Sequence, residues 1–104
     1  MKPLDLNFIC QTLGLPMPSE NQSVSRIVTD SRDIQDGDVF FALAGERFDA
    51  HDFVEDVLAA GATAVVVSRE DCAALKGALK VDDTLAALQK LAKAWRENVN
   101  PFVF

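Results

Sequence analysis

Apolar residues recur along this chain with two different periods, and the switches between them divide it into elements. Leu6, Ile9, Cys10 and Leu13 fall at i, i+3, i+4 and i+7, one stripe of a helix. Asp5 stands where a carboxylate can accept the first free N–H groups, Gly14 is a stop, and Pro16 and Pro18 forbid continuation. Residues 15–23 read as a polar loop. Val24 to Thr29 predicts a strand, with Val24, Arg26 and Val28 on one face and Ser25, Ile27 and Thr29 on the other. Asp36-Gly37 marks a turn, and Val39 to Leu43, apolar throughout, predicts a central strand covered on both faces.

The second half repeats the alternation. Asp49 can cap a helix whose buried stripe is Phe53, Val57 and Leu58, ended by Gly61. Ala64 to Val67 is a second buried strand, expected parallel to Val39–Leu43 because a helix connects them. A short helix over Glu70–Leu75 ends near Gly77, and Leu79 to Val81 is a short strand. Asp82 or Asp83 then caps the longest helix, with Leu85, Leu88, Ala92, Trp95 and Val99 as its core-facing stripe and Pro101 as its stop. Phe102-Val103-Phe104 begins a further apolar run. The fold class expected is α/β: a single small domain with a mixed or mostly parallel sheet flanked by helices.

Composition narrows the function classes. Ten basic and 16 acidic residues give a formal charge of −6 over 104 residues, which disfavours nonspecific binding to nucleic acid or to an anionic membrane. No apolar run is long enough to span a bilayer, and Met1-Lys2-Pro3-Leu4-Asp5 lacks the layout of a signal peptide, so a cytoplasmic protein is expected. Cys10 and Cys72 could form one disulfide, but two buried thiols in a reducing compartment fit better.

The candidate chemistry sits in two polar loops beside the Val39–Leu43 run. Ser31 offers a hydroxyl that suits a base edge or ribose oxygen, or else closes a turn on its own backbone. Thr29 can add a backbone contact, and Asp30 is better suited to bracing the loop than to meeting an anion. Arg32 and Arg47 are the natural anion ligands; the competing role for each is a surface ion pair with Asp33, Asp36 or Glu46. Gly45 permits close backbone approach, and Phe48 can stack on a ring or anchor the loop. His51 could donate to a ligand, although a capping or surface role fits it better. Trp95 is read as core. Neither a G-x-x-x-x-G-K-[ST] word nor a metal-ligand spacing occurs, and the histidine has no Ser or Cys nucleophile beside it in sequence.

The words T-D-S-R (29–32), G-D-V-F-F-A-L-A-G-E-R-F-D-A-H-D-F (37–53) and G-A-T-A-V-V-V-S (61–68), with V-D-D-T-L-A-A-L-Q-K-L-A-K-A-W-R (81–96) as a weaker match, resemble the amino-terminal domain of the Mur ligases in the family's order. The type most similar joins D-alanyl-D-alanine to UDP-N-acetylmuramoyl-tripeptide in peptidoglycan precursor synthesis. The resemblance implies that residues 1–100 hold the UDP end of that substrate, and that residues 101–104 open the first strand of an ATP-binding central domain. It implies substrate contacts from Thr29, Ser31, Arg32, Gly45, Glu46, Arg47 and Phe48, and no catalytic or metal-binding residue in this stretch. It also implies that the complete enzyme works in the cytoplasm with ATP and magnesium, while these 104 residues alone are inactive.

The alternative is a stand-alone acidic α/β binding or signalling module of the receiver type. A receiver needs an acidic pair at the end of its first strand, where this chain has Thr29-Asp30-Ser31-Arg32.

Overall fold

The computed structural model describes residues 4–43 and 49–95, together with the backbone of residues 102–103. Five strands form one sheet: β1 (Arg26–Val28), β2 (Asp38–Phe41), β3 (Ala64–Val67), β4 (Ala78–Lys80) and β5 (Phe102–Val103). Their order across the sheet is β4-β3-β2-β1-β5, and all four neighbouring pairs run parallel. The two apolar runs singled out in the sequence are adjacent interior strands, with Val39 opposite Ala64 and Phe41 opposite Val66. The run 102–103 joins this same sheet beside β1.

Side-chain alternation divides the core in two. Ile27, Val39, Phe41, Ala64 and Val66 face α1 (Leu6–Leu13) and α4 (Thr84–Ala94), which bring Leu6, Ile9, Ala87, Leu88 and Leu91. Val28, Phe40, Ala42, Val65 and Val67 face the other way, onto Val54 and Val57 of α2 (Val54–Ala59) and Cys72 of α3 (Glu70–Ala73). β2 and β3 are therefore buried on both faces, as continuous apolar runs in a parallel sheet require. Phe8 meets Trp95 edge-on with ring centroids 5.3 Å apart, tying α1 to the end of α4.

Local chemistry sets the ends of the elements. Asp5 caps α1 by accepting from the Phe8 N–H at 2.8 Å, and Gly14 leaves it at φ 71°, a left-handed conformation that favours glycine. Asp83, not Asp82, caps α4, accepting from the N–H groups of Leu85 and Ala86. Gly37 turns into β2 at φ 88°, and a Cβ there would stand 2.6 Å from the Ser25 hydroxyl. Cys10 and Cys72 are both buried free thiols, and burial pushes both above the ordinary thiol range.

Three expectations need correction. The first strand begins at Arg26, so Val24 lies before it and packs with Ile27 instead of sharing a face with Val28. The helix after Asp49 opens with a 3-10 turn, Ala50–Phe53, whose three-residue period shifts the phase; Val54 and Val57 face the sheet, while Phe53 is 36% exposed. In α4 the buried stripe is Thr84, Ala87, Leu88 and Leu91, and Leu85 and Ala92 face solvent. Val99 and Pro101 lie outside the described residues.

Candidate functional site

The strand order places the site. From β1 the chain steps outward through β2, β3 and β4, with α2 and α3 on one face; α4 then carries it back across the other face to β5. The direction of winding reverses between β1 and β5, and open parallel sheets bind ligands beyond the carboxyl ends of their strands at such a point. Thr29, Asp30, Ser31 and Arg32 leave β1 at that end. Together with Phe53 they line an open cleft of about 510 Å³. Because β1 and β2 are parallel, the segment after Leu43 leaves the sheet at the same end. Gly45, Glu46, Arg47 and Phe48 fall in that segment and lie outside the described residues.

Asp30 braces the first loop. Its Oδ1 accepts the Arg32 backbone N–H at 2.9 Å and the Arg32 Nε at 3.1 Å, while Oδ2 accepts Nη2 at 3.2 Å. The side-chain bond from Arg32, then the backbone one, hold the Asp30 carboxyl below the usual carboxylate range. The ion-pair partner of Arg32 is thus Asp30, two residues away, instead of Asp33, Asp36 or Glu46. The Arg32 side chain is 88% exposed, so a ligand can reach the guanidinium, but an anion would share it with a carboxylate. Ser31 is half-buried beside this pair. The cleft thus presents hydroxyls, a neutralised ion pair and an aromatic ring, a set that fits a polar ring better than a bare phosphate.

At the opposite end of the sheet, Arg26 and Asp38 stand in register as the first residues of β1 and β2. Asp38 is completely buried; it accepts from Arg26 Nε at 3.0 Å, from Arg26 Nη2 at 2.7 Å and from the Gln35 N–H at 2.9 Å. Arg26 also donates to the Asp33 carbonyl at 3.0 Å. The return leg of the Thr29–Arg32 loop is therefore pinned at both Asp33 and Gln35.

Sequence reasoning also missed a cluster around His51. The ring is buried, with a side chain 1% exposed. Nε2 accepts the Ser68 backbone N–H at 2.9 Å, so Nδ1 carries the proton and donates to Asp49 Oδ1 at 2.6 Å. The Asp49 carboxyl is held below the usual range, first by the His51 backbone N–H. Arg69 spans Asp49, Asp52 and Asp71, and its guanidinium is stabilised further in the charged form, chiefly by Asp71. Asp49, His51 and Ser68 have the composition of a hydrolytic triad, but the Nε2 lone pair is occupied by backbone and the Ser68 hydroxyl stands 3.4 Å away. The cluster joins the chain after β2 to the chain after β3; it does not activate a nucleophile.

A second open cleft, about 420 Å³, lies at the carboxyl ends of the outer strands, lined by Leu43, Ser68, Asp82, Asp83, Thr84 and Leu85. Among the described residues no group of three or more His, Cys, Asp or Glu side chains could hold a metal ion, and no helix is long and apolar enough to cross a membrane.

Fold and cleft together define an α/β domain of the doubly wound kind, with a polar site at its switch point. The model of the Mur ligase family, catalytic domain, matches residues 23–96, and the chain belongs to the Mur ligase family. It is 44% identical over 82 residues to the UDP-N-acetylmuramoyl-tripeptide--D-alanyl-D-alanine ligase of Haemophilus influenzae, covering 79% of this chain and 18% of that protein. Its fold matches a crystal structure of MurF from Acinetobacter baumannii with TM-score 0.71 and 36% identity, over 88% of this chain and 21% of that one. It also matches the MurF ligase of Thermotoga maritima in complex with ADP, with TM-score 0.62 and 35% identity over 68% of this chain and 16% of that one. The chain thus spans about a fifth of the length of these relatives.

Proposed function

We propose that this chain is the amino-terminal, substrate-holding part of a ligase that adds D-alanyl-D-alanine to UDP-N-acetylmuramoyl-tripeptide in the cytoplasm, and that its cleft takes the UDP end. The observation that carries this reading is the position of Thr29–Arg32 at the carboxyl end of β1, beside the switch point and on the same side as the chain leaving β2. The names of the relatives supply the substrate, and the cleft supplies polar groups suited to a nucleotide's neutral edge. In this reading Ser31 and Thr29 meet the base or ribose, Arg32 shares its charge between Asp30 and the ligand, and Gly45, Glu46, Arg47 and Phe48 add further substrate contacts.

The work of such a domain is positioning. Binding energy gained at the UDP end holds the far carboxylate where it is to react, and such remote binding raises rate without supplying chemistry. The parent is proposed to draw on ATP and magnesium in a central domain that follows. These 104 residues hold no phosphate-loop word, and among the described residues no cluster of three or more His, Cys, Asp or Glu could hold a metal ion. The isolated chain is expected to show no ATP hydrolysis.

The test is Arg47→Ala in the complete enzyme. Losing a charge-assisted hydrogen bond costs about 1.5–3 kcal/mol, so KM for the UDP-linked substrate should rise about ten- to a hundredfold, with KM for ATP little changed. Equal increases for both substrates would point to a folding defect; no increase would remove Arg47 from the site.

A further inference from the structure

The second cleft, at the carboxyl ends of the outer strands, holds a hydroxyl that the protein itself does not use. Thr84 is the first residue of α4 and is 5% exposed, yet among the described residues its side chain makes no hydrogen bond. No fully buried side-chain oxygen or nitrogen of the described residues lacks a partner, so the Thr84 hydroxyl keeps an open face; the space that Thr84 lines is this cleft. A hydroxyl fixed by burial and open on one side is a ready acceptor and donor for a group that enters.

The groups around it select the ligand. Asp82 and Asp83 line the cleft, and among the described residues neither carboxylate has a cationic partner; the neighbouring Lys80 pairs with Glu70 instead. Asp83 Oδ1 already accepts the Leu85 and Ala86 N–H groups, so the donors that would draw an anion to the start of α4 are occupied. A cation that brings its own donors finds acceptors in Asp82, in Asp83 Oδ2 and in the Thr84 hydroxyl. Leu43 and Leu85 add apolar walls, and Leu85 is 51% exposed. A guanidinium wants two parallel oxygens of one carboxylate, a fork that Asp83 cannot offer with Oδ1 taken. A primary ammonium has three donors on a compact head, and its alkyl stem can lie against the leucines.

We propose that this cleft is a second binding site, separate from the Thr29–Arg32 cleft, and that it takes a primary ammonium carried on an alkyl stem. Asp82 and Asp83 supply the charge, Thr84 accepts one ammonium N–H, and Leu43 and Leu85 cover the methylenes. The same group can arrive on a small amine or on a lysine side chain of the complete enzyme. The site does not depend on which ligand the first cleft takes.

The experiment titrates n-pentylammonium chloride into the full-length protein carrying labelled leucine methyl groups, with 1-pentanol and sodium chloride as controls. The amine should move the Leu43 and Leu85 methyl signals saturably, and the alcohol, which has the same stem and no charge, should not. Thr84→Val, which keeps the shape and removes the hydroxyl, should weaken binding about tenfold, and Thr84→Ser should restore it. Asp82→Asn, which leaves the Asp83 cap in place, should weaken it about two- to fivefold. If a lysine of the complete enzyme fills the cleft, the added amine moves neither signal, and a water-soluble carbodiimide joins Asp82 to that lysine as an amide, detected by mass spectrometry and lost in Asp82→Asn. Equal shifts from amine and alcohol would overturn the proposal, as would amine binding unchanged in Thr84→Val or in Asp82→Asn. So would the absence of both a shift and a cross-link.

Discussion

The two ends of the sheet carry the same pair of residue types and use them in opposite ways. At the amino ends of β1 and β2, Arg26 meets Asp38 in a bidentate pair whose carboxylate is wholly buried and takes a further backbone N–H. At the carboxyl end of β1, Arg32 meets Asp30 in a similar fork, but its guanidinium stands in solvent. A buried carboxylate cannot lose its partner without stranding a charge, whereas an exposed pair exchanges for water or a ligand at little cost. One pair belongs to the frame and the other lines the open cleft, and burial, not chemistry, separates them.

Breaking the buried pair should give the largest effect. Arg26→Ala is expected to cost about 3–5 kcal/mol, because it leaves the wholly buried Asp38 carboxylate with only the Gln35 N–H among these partners; urea unfolding at neutral pH measures it. A loss no larger than that seen for Arg32→Ala would erase the contrast. His51→Ala should come next, at about 2–3 kcal/mol in the same assay, since it opens a hole and leaves the Ser68 N–H without its acceptor.

Acid should act mainly on the exposed carboxylates. Asp30, Asp49 and Asp71 all have folded pKa values below their ordinary range. Their contribution to stability is fully present above the unfolded carboxylate pKa of about 4, and is lost as pH falls through the depressed folded values. The melting temperature should therefore hold from neutrality to about pH 5 and decline below about pH 4; a decline already complete at pH 6 would implicate a different group. The smallest effect is expected for Arg32→Ala, which should leave the melting temperature unchanged in a thermal scan while altering the amide signals of Asp30 and Ser31.

Much of this architecture was legible because it depends on local pattern. The Asp5 cap, Gly14, the Asp36-Gly37 turn and the continuous run Ala64–Val67 each announce an element without reference to the rest of the chain. The α4 stripe was misread because two registers pass through Leu88. One is 85/88/92/95, all apolar; the other is 84/87/88/91, which includes Thr84, and packing against α1 selects the second. Phe53 was misplaced because a single 3-10 turn moves the phase of the next helix, and nothing in the residues of that turn declares its period.

The polar clusters were hidden for another reason. Arg26 and Asp38 meet only when β1 and β2 lie in register, and His51 finds Ser68 from 17 residues away. The position of the cleft relative to β2 was hidden in the same way, because it follows from the parallel pairing of β1 and β2, which no local pattern announces. The exposure of Phe53 on its wall was hidden by the 3-10 turn that shifts the phase of α2.

The position of β1 in the sheet also bears on how the chain must be made. On one flank β1 pairs with β2, a dozen residues later; on the other it pairs with β5, which begins at Phe102. Synthesis runs from the amino end, so β1 to β4 can assemble in order while one edge of β1 waits, its backbone groups unpaired, for residues that emerge later. An open parallel edge is a template for another chain. A ribosome stalled between Lys80 and Phe102 would display a nearly complete domain with its adhesive side outward. The same flank that lies next to the Thr29–Arg32 cleft is thus the one most in need of protection during birth of the protein.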